Sequence, residues 1–317
     1  MTESREQRRG GSQLGLALGA ACIAFAPILV KALGDFGPTT IGVYRTATGA
    51  LFFFLLHGWN RFRARRDGSK TPGPTPARRS VVIFWCIFAG LLFALDLYVW
   101  HRSVLLVGAG MGTILGNTQV FYLALIGLLF LGERFDWRYG LAVPLAFVGI
   151  IFLVTTGAVS ERGPDYWFGI GCGLATGVFY ASYLLALRRL QALATEGVVF
   201  ILAWVSTVTS VILFVVALME GSLRAPTTAE WWPIVGLGIV PQVIGWSLIT
   251  RCLPRVEVSR SGLILLLQPA LATMLGTLIF AESLSGRQLL GAGLTLFAVY
   301  LGTIRKSALK PRSNGSD

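Results

Sequence analysis

Charge is scarce in this chain: 13% of its 317 residues are charged, against 54% that are hydrophobic. A water-soluble fold of that composition lacks the polar residues to cover its surface. Mean hydropathy is positive, at +0.69, which places the chain in a bilayer. Short alternating segments of the kind a membrane barrel needs are missing, and the continuous apolar runs exclude one. Cysteine is rare as well. Cys22, Cys86, Cys172 and Cys252 lie within apolar runs or at the end of one, without metal-type spacing, and read as small apolar fillers. A phosphate loop ending in GK[ST] is absent, and GIGCG at 169–173 has neither the preceding strand nor the later acidic residue of a dinucleotide fold. Neither HExxH nor a paired-Asp motif occurs. No metal, cofactor, nucleotide hydrolysis or catalytic residue is expected, so energy must come from a gradient or from the substrate's own.

What the chain does have is apolar length. A helix needs about 20 apolar residues to cross the hydrocarbon. Ten such stretches stand near 14–33, 38–58, 80–100, 107–131, 139–158, 166–187, 197–219, 231–250, 258–280 and 287–304. The net charge of +12 is distributed as a topology signal and not as a nucleic-acid footprint. With the N-terminus in the cytoplasm, 21 of the 27 Lys and Arg residues fall on the cytoplasmic side, five (Lys31, Arg102, Arg162, Arg224 and Arg287) face out, and Arg45 lies within a span. That asymmetry predicts both termini in the cytoplasm and an even number of spans. The basic residues also suit contact with anionic membrane lipids.

The hydrophobic segment is used twice. Arg102, Gln119, Gly127, Glu133 and Arg138 recur as Arg251, Gln268, Gly276, Glu282 and Arg287 at a constant offset of 149 residues. Five spans per half is an odd number, so the second half enters the membrane from the opposite side. The expected fold class is therefore an all-α integral membrane protein of ten transmembrane helices, built as two inverted five-helix repeats. Inverted repeats supply inward-open and outward-open shapes around a midplane site. Glu133 and Glu282 end spans at opposite interfaces and read as structural, each capping the helix that follows it.

Several segments resemble the EamA branch of the drug/metabolite transporter superfamily: VYRTATGALFFF at 43–54, FALDLYVWHRSVLLVGAGMGTILGN at 93–117, GER at 132–134, and GWSLITRCLP followed by SGLILLLQPALATMLGTLIFAE at 245–282. Asp96, Trp100, His101 and Asn117 at their spacing resemble one subgroup of that family. Val120 stands where the subgroup usually carries Pro, whereas the second half keeps Pro269, so the resemblance gives no ground for a helix break in span 4. The resemblance implies a first EamA repeat at 14–157 and a second at 166–304, between cytoplasmic tails at 1–13 and 305–317. It further implies an inner-membrane carrier of small organic molecules, commonly an exporter of amino acids or related metabolites.

Charged side chains at a helix centre cost about 2.5 to 3.5 kcal/mol on insertion scales, so Arg45 and Asp96 call for a reason. Both sit roughly 7–10 Å below the outer end of their spans at helical rise. They are placed to pair with each other, or to serve a substrate: Asp96 an amine or a proton, Arg45 a carboxylate. Trp100 lies one turn past Asp96 on the same face, an aromatic wall suited to amino groups, or else an interfacial anchor. His101 points about 100° away from that face and is either a relay group or a helix-end hydrogen bonder. Asn117, Gln119 and Gln268 are costly in hydrocarbon unless paired. Gln119 and Gln268 are placed to bond across the pseudo-twofold axis, and Asn117 to line a polar cavity. Gln242 and Trp246 share a face of span 8, and Tyr180 in span 6 is a candidate of the same kind. His57, at the cytoplasmic end of span 2, is assigned no role.

A secondary carrier explains the doubled odd-span halves and the few intramembrane polar groups. A lipid flippase on the same scaffold is the alternative. An intramembrane lipid-modifying enzyme with Asp96 and His101 as general acid and base would need a denser catalytic set at one depth. The partners expected are a small-molecule substrate and membrane lipids, and the oligomeric state is not legible.

Overall fold

The computed structural model describes residues 2–34, 36–67, 76–133, 136–154, 164–194, 197–280 and 285–303. Glu282, Arg134, Arg162 and the tail from residue 304 lie outside the described residues. Among the described residues the regular structure is entirely helical. Seven helical stretches are long and apolar enough to cross a membrane: Gly10–Lys31, Pro38–Arg66, Arg79–Val107, Pro164–Leu193, Val198–Met219, Thr228–Arg255 and Val258–Gly276. Ile114–Phe130 and Trp137–Phe152 are shorter apolar helices.

In chain order the helices are α1 (Thr2–Ala24), α2 (Ala26–Lys31), α3 (Pro38–Arg66), α4 (Pro76–Gly116), α5 (Gln119–Phe130), α6 (Trp137–Val154), α7 (Pro164–Leu193), α8 (Val198–Met219), α9 (Trp231–Leu237), α10 (Trp246–Cys252), α11 (Val258–Leu265), α12 (Leu267–Phe280) and α13 (Gly286–Thr303). A π-helical segment, Gly238–Gly245, joins α9 to α10. Pro27 interrupts the first span at Phe25 because it supplies no N–H for a carbonyl of the preceding turn. Pro241, inside the π segment, has the same effect in span 8.

α4 is helical over 41 residues but does not run straight. Residues eight apart in a straight helix are separated by about 12 Å. A Cβ built on Gly112 would nevertheless lie 2.9 Å from Val104 Cγ2 and 3.1 Å from its backbone nitrogen. One built on Gly116 would lie 3.5 Å from Trp100 Cδ1. The helix therefore folds back between residues 104 and 112, and its two arms are the third and fourth apolar segments read from the sequence.

Span 4 is then broken at Asn117 and Thr118, without a proline. The Thr118 hydroxyl donates to Leu115 O at 2.5 Å and competes for a carbonyl of the preceding turn. The backbone tightens to three-residue bonds, with Val120 N donating to Asn117 O. Span 9 breaks at Leu266, just ahead of Pro269 in the first turn of α12, where proline is tolerated. The two breaks are 149 residues apart, counted from Asn117 to Leu266.

α4 packs on α7 and α8, α3 on α8, α6 on α13, α5 on α11 and α7, and α1 on the π segment, α10, α11 and α12. Small residues permit these approaches, as the abundance of glycine in the spans suggests. A Cβ on Gly19 would meet Gly245 O at 3.0 Å, one on Gly149 would meet Gly291 O at 2.8 Å, and one on Gly173 would meet Leu115 Cβ at 2.5 Å.

Charges gather at two ends. At one, Arg102 meets Glu220 at 2.5 Å, Thr40 donates to Ser222 O at 2.9 Å, and Arg224 meets Glu230 at 2.5 Å. Those bonds to Glu230 hold the Arg224 guanidinium above its ordinary value. At the other end, Arg260 meets Glu257 at 2.6 Å and Arg188 donates to Val256 O at 2.8 Å. Arg102 and Arg224 thus share one end, and Arg188 and Arg260 the opposite one.

Glu133 corrects one expectation. Its carboxylate accepts from Val258 N at 2.6 Å and Ser259 N at 3.1 Å. It caps α11, in the other half of the chain. The helix that follows it, α6, is capped by Asp136, which accepts from Tyr139 N at 2.9 Å. A sequence reading favours the neighbour in the chain, whereas the tertiary fold brings a more distant helix start within reach.

Candidate functional site

The candidate site lies where α3, α4, α7, α8 and span 8 converge. Asp96 and Phe93, one turn apart on α4, are 8% and 2% exposed. Phe93 stacks on Tyr183 of α7 with ring centroids 4.6 Å apart. Trp246, at the start of α10, packs edge-on against Phe93, Tyr183 and Tyr180 at 5.4, 4.9 and 6.1 Å. Four aromatic rings from three segments form one cluster beside a carboxylate. Arg45, Asp96, Tyr180 and Tyr183 are close enough to act on one another electrostatically.

The expected Arg45–Asp96 pair does not form. Arg45 Nε donates instead to Gln242 Oε1 at 3.2 Å, and no ion pair joins Arg45 to Asp96. Asp96 Oδ1 is buried without a hydrogen-bond partner, as are the Tyr183 hydroxyl and the Trp246 indole nitrogen. Buried polar atoms are satisfied in the large majority of cases. An acceptor and two donors left unpaired around one cluster mark a place suited to a polar ligand.

Gln242 reaches Arg45 because span 8 is π-helical there and because residue 49 is glycine. A Cβ on Gly49 would fall on Gln242 Cγ. π segments occur disproportionately at functional sites, since the widened turn re-aims side chains. The other end of the Gln242 side chain donates from Nε2 to Ser206 Oγ at 3.1 Å.

The expected bond between Gln119 and Gln268 is also absent. Gln268 Nε2 donates to Tyr180 OH at 3.1 Å, which ties span 9 to the aromatic cluster. Gln119 is fully buried with neither amide atom partnered. Trp100 is half-buried, lies 5.0 Å from the His101 ring and packs toward Gly116, beside the Asn117 break. The aromatic wall next to Asp96 is built from Phe93, Tyr180, Tyr183 and Trp246. His101 Nδ1 is buried without a partner, and His57 lies 5.3 Å from Phe200, ring to ring.

Of the ten residues proposed from the sequence, Arg45, Asp96, Tyr180, Gln242, Trp246 and Gln268 come together. Trp100, His101, Asn117 and Gln119 stand at the fold-back and the break. Tyr183, Phe93 and Ser206 were missed. Tyr183 follows Tyr180 by three residues on a helix face, a legible signal. Ser206, one of four hydroxyl residues between 206 and 210, carried no signal that set it apart.

The family model of EamA-like transporters matches residues 12–155 and 167–304. An uncharacterized transporter of Archaeoglobus fulgidus is 27% identical over 171 residues, 54% of this chain and 58% of that protein. The threonine/homoserine exporter RhtA of Escherichia coli strain K12 is 26% identical over 223 residues, 67% of this chain and 68% of that one. A solved crystal structure superposes with a TM-score of 0.76 at 17% identity, covering 93% of this chain and 98% of that chain. That likeness concerns the fold alone.

Proposed function

The chain belongs to the EamA-like transporter family, and from that premise we propose that it is a secondary carrier exporting a small zwitterionic metabolite, an amino acid or a close relative. It works by alternating access between two inverted five-helix repeats, at 14–157 and 166–304, in the inner membrane with both termini cytoplasmic. The observation that carries the reading is the pairing of chemistries at the site. Asp96, with an unpartnered buried oxygen beside four aromatic rings, suits an ammonium group. Arg45 spends only Nε on Gln242 and keeps both terminal nitrogens for a carboxylate.

The neighbour relations support the inverted arrangement. Exchanging each segment for the one five later turns α4 on α7 (spans 3 and 6) into span 8 on α1, and returns α3 on α8 and α6 on α13 as themselves. The breaks 149 residues apart in spans 4 and 9 agree with it. In the cycle Asp96 exchanges its proton against the substrate amine, which couples export to the proton gradient. The name of RhtA supports amino-acid-type cargo.

The test compares metabolites inside and outside cells producing the wild-type chain or Asp96→Asn at matched membrane expression. An amino-acid-type compound displaced outward only by the wild type supports the reading. Unchanged transport and pH dependence in Asp96→Asn would remove Asp96 from the cycle. Displacement of none but apolar or lipid compounds would remove the zwitterion.

A further inference from the structure

Arg45 is held by a relay whose polarity is fixed by chemistry. A guanidinium only donates hydrogen bonds. The Gln242 atom 3.2 Å from Arg45 Nε must therefore be the carbonyl oxygen. The amide nitrogen then faces Ser206 Oγ, 3.1 Å away, and Ser206 must accept. Ser206 and Gln242 are both 0% exposed, so water does not substitute for either partner. With Ser206 present the amide has one satisfied orientation. Without it, the buried Gln242 N–H group is orphaned and the amide, its oxygen still facing the guanidinium, is anchored at that end alone. Gly49, which leaves room for the Gln242 side chain against α3, completes the mount.

We propose that Ser206 is a positioning residue for the substrate carboxylate: by accepting from Gln242 it fixes the oxygen that holds Arg45 Nε, and so aims Nη1 and Nη2 of Arg45 as a two-pronged clamp. This rests on the zwitterion reading above and deepens it. The cargo must carry a carboxylate, and the part of its affinity due to that carboxylate passes through a serine that never touches it. An ammonium group held at Asp96 is indifferent to Ser206.

The experiment uses the full chain reconstituted in proteoliposomes. An equimolar mixture of the twenty proteinogenic amino acids identifies the transported probes by counterflow. For each transported amino acid, the free acid and its carboxamide are then compared as competitors of uptake. The wild type should prefer the acid. Ser206→Ala should shrink the acid-to-amide preference by roughly threefold to tenfold, the worth of one neutral hydrogen bond, through the acid's KM and not through turnover. Ser206→Thr, which keeps the hydroxyl, should retain the wild-type preference and shows whether the site tolerates replacement. A merely structural serine would weaken acid and amide alike. An unchanged preference in Ser206→Ala overturns the proposal and leaves the zwitterion reading standing. Counterflow of no amino acid by the wild type overturns both.

Discussion

Replacing Glu133 by Ala removes the cap of a helix that begins 125 residues away. Both carboxylate oxygens are engaged, at 2.6 and 3.1 Å, with the first two N–H groups of α11. Hydrogen bonds to a charged acceptor are each worth about 1.5 to 3 kcal/mol. They share one side chain, and loss of an N-cap costs up to about 2 kcal/mol, so the two do not add in full. We expect Glu133→Ala to destabilise the protein by about 2 to 3 kcal/mol, a fall in Tm of roughly 3 to 5 °C. Glu133→Gln keeps one acceptor but sets an amide donor against the second N–H, and should fall between Ala and wild type. The control is Glu220→Ala, which breaks the Arg102 ion pair at the other end, where the side chains are 40% and 24% exposed. Such pairs contribute about 0 to 1 kcal/mol. The assay is thermal unfolding of the full chain in detergent, followed by tryptophan fluorescence. Gly127 supplies an internal check, because an added Cβ there would stand 2.5 Å from Glu133 Oε2. Gly127→Ala should therefore cost less in the Glu133→Ala background than alone. Equal falls for Glu133→Ala and Glu220→Ala, or a Gly127→Ala cost that ignores the background, would refute the cap.

Gly49→Ala places a carbon on Gln242 Cγ and should cost about 1 to 3 kcal/mol by overpacking; uptake of the transported amino acid should drop about tenfold or more, out of proportion to the change in Tm. Gly149 of α6, packed against α13, and Gly293 on the exposed face of α13 should respond with opposite sign. A Cβ at Gly149 meets backbone atoms of Gly291 and Thr295 at 2.8 Å, whereas one at Gly293 meets nothing within 4 Å. Gly149→Ala should therefore lower stability by about 2 kcal/mol and Gly293→Ala should raise it by roughly 0.5 to 1 kcal/mol; thermal unfolding of both variants reads the difference.

The sequence by itself determined the class of molecule and the order of its parts. Apolar length is a property of each segment alone, because the bilayer demands about 20 residues of it whatever the neighbours are. The described residues are accordingly mostly helical within the predicted stretches, seven helical stretches are long and apolar enough to cross a membrane, and the turns at Asn117 and Leu266 keep the 149-residue offset. Arg45 and Asp96 were legible for the same reason, since a charge in hydrocarbon is costly wherever it pairs. Partners were decided only by the tertiary structure. Arg45 and Asp96 were expected at similar depth, yet the widened turn of span 8 and the missing side chain at Gly49 bring Gln242 to Arg45 first. Gln119 and Gln268 match in sequence, yet Tyr180 stands nearer to Gln268. Glu133 caps α11 and not α6 because helix starts compete for a carboxylate by distance in space, and that distance exists only once the spans have packed.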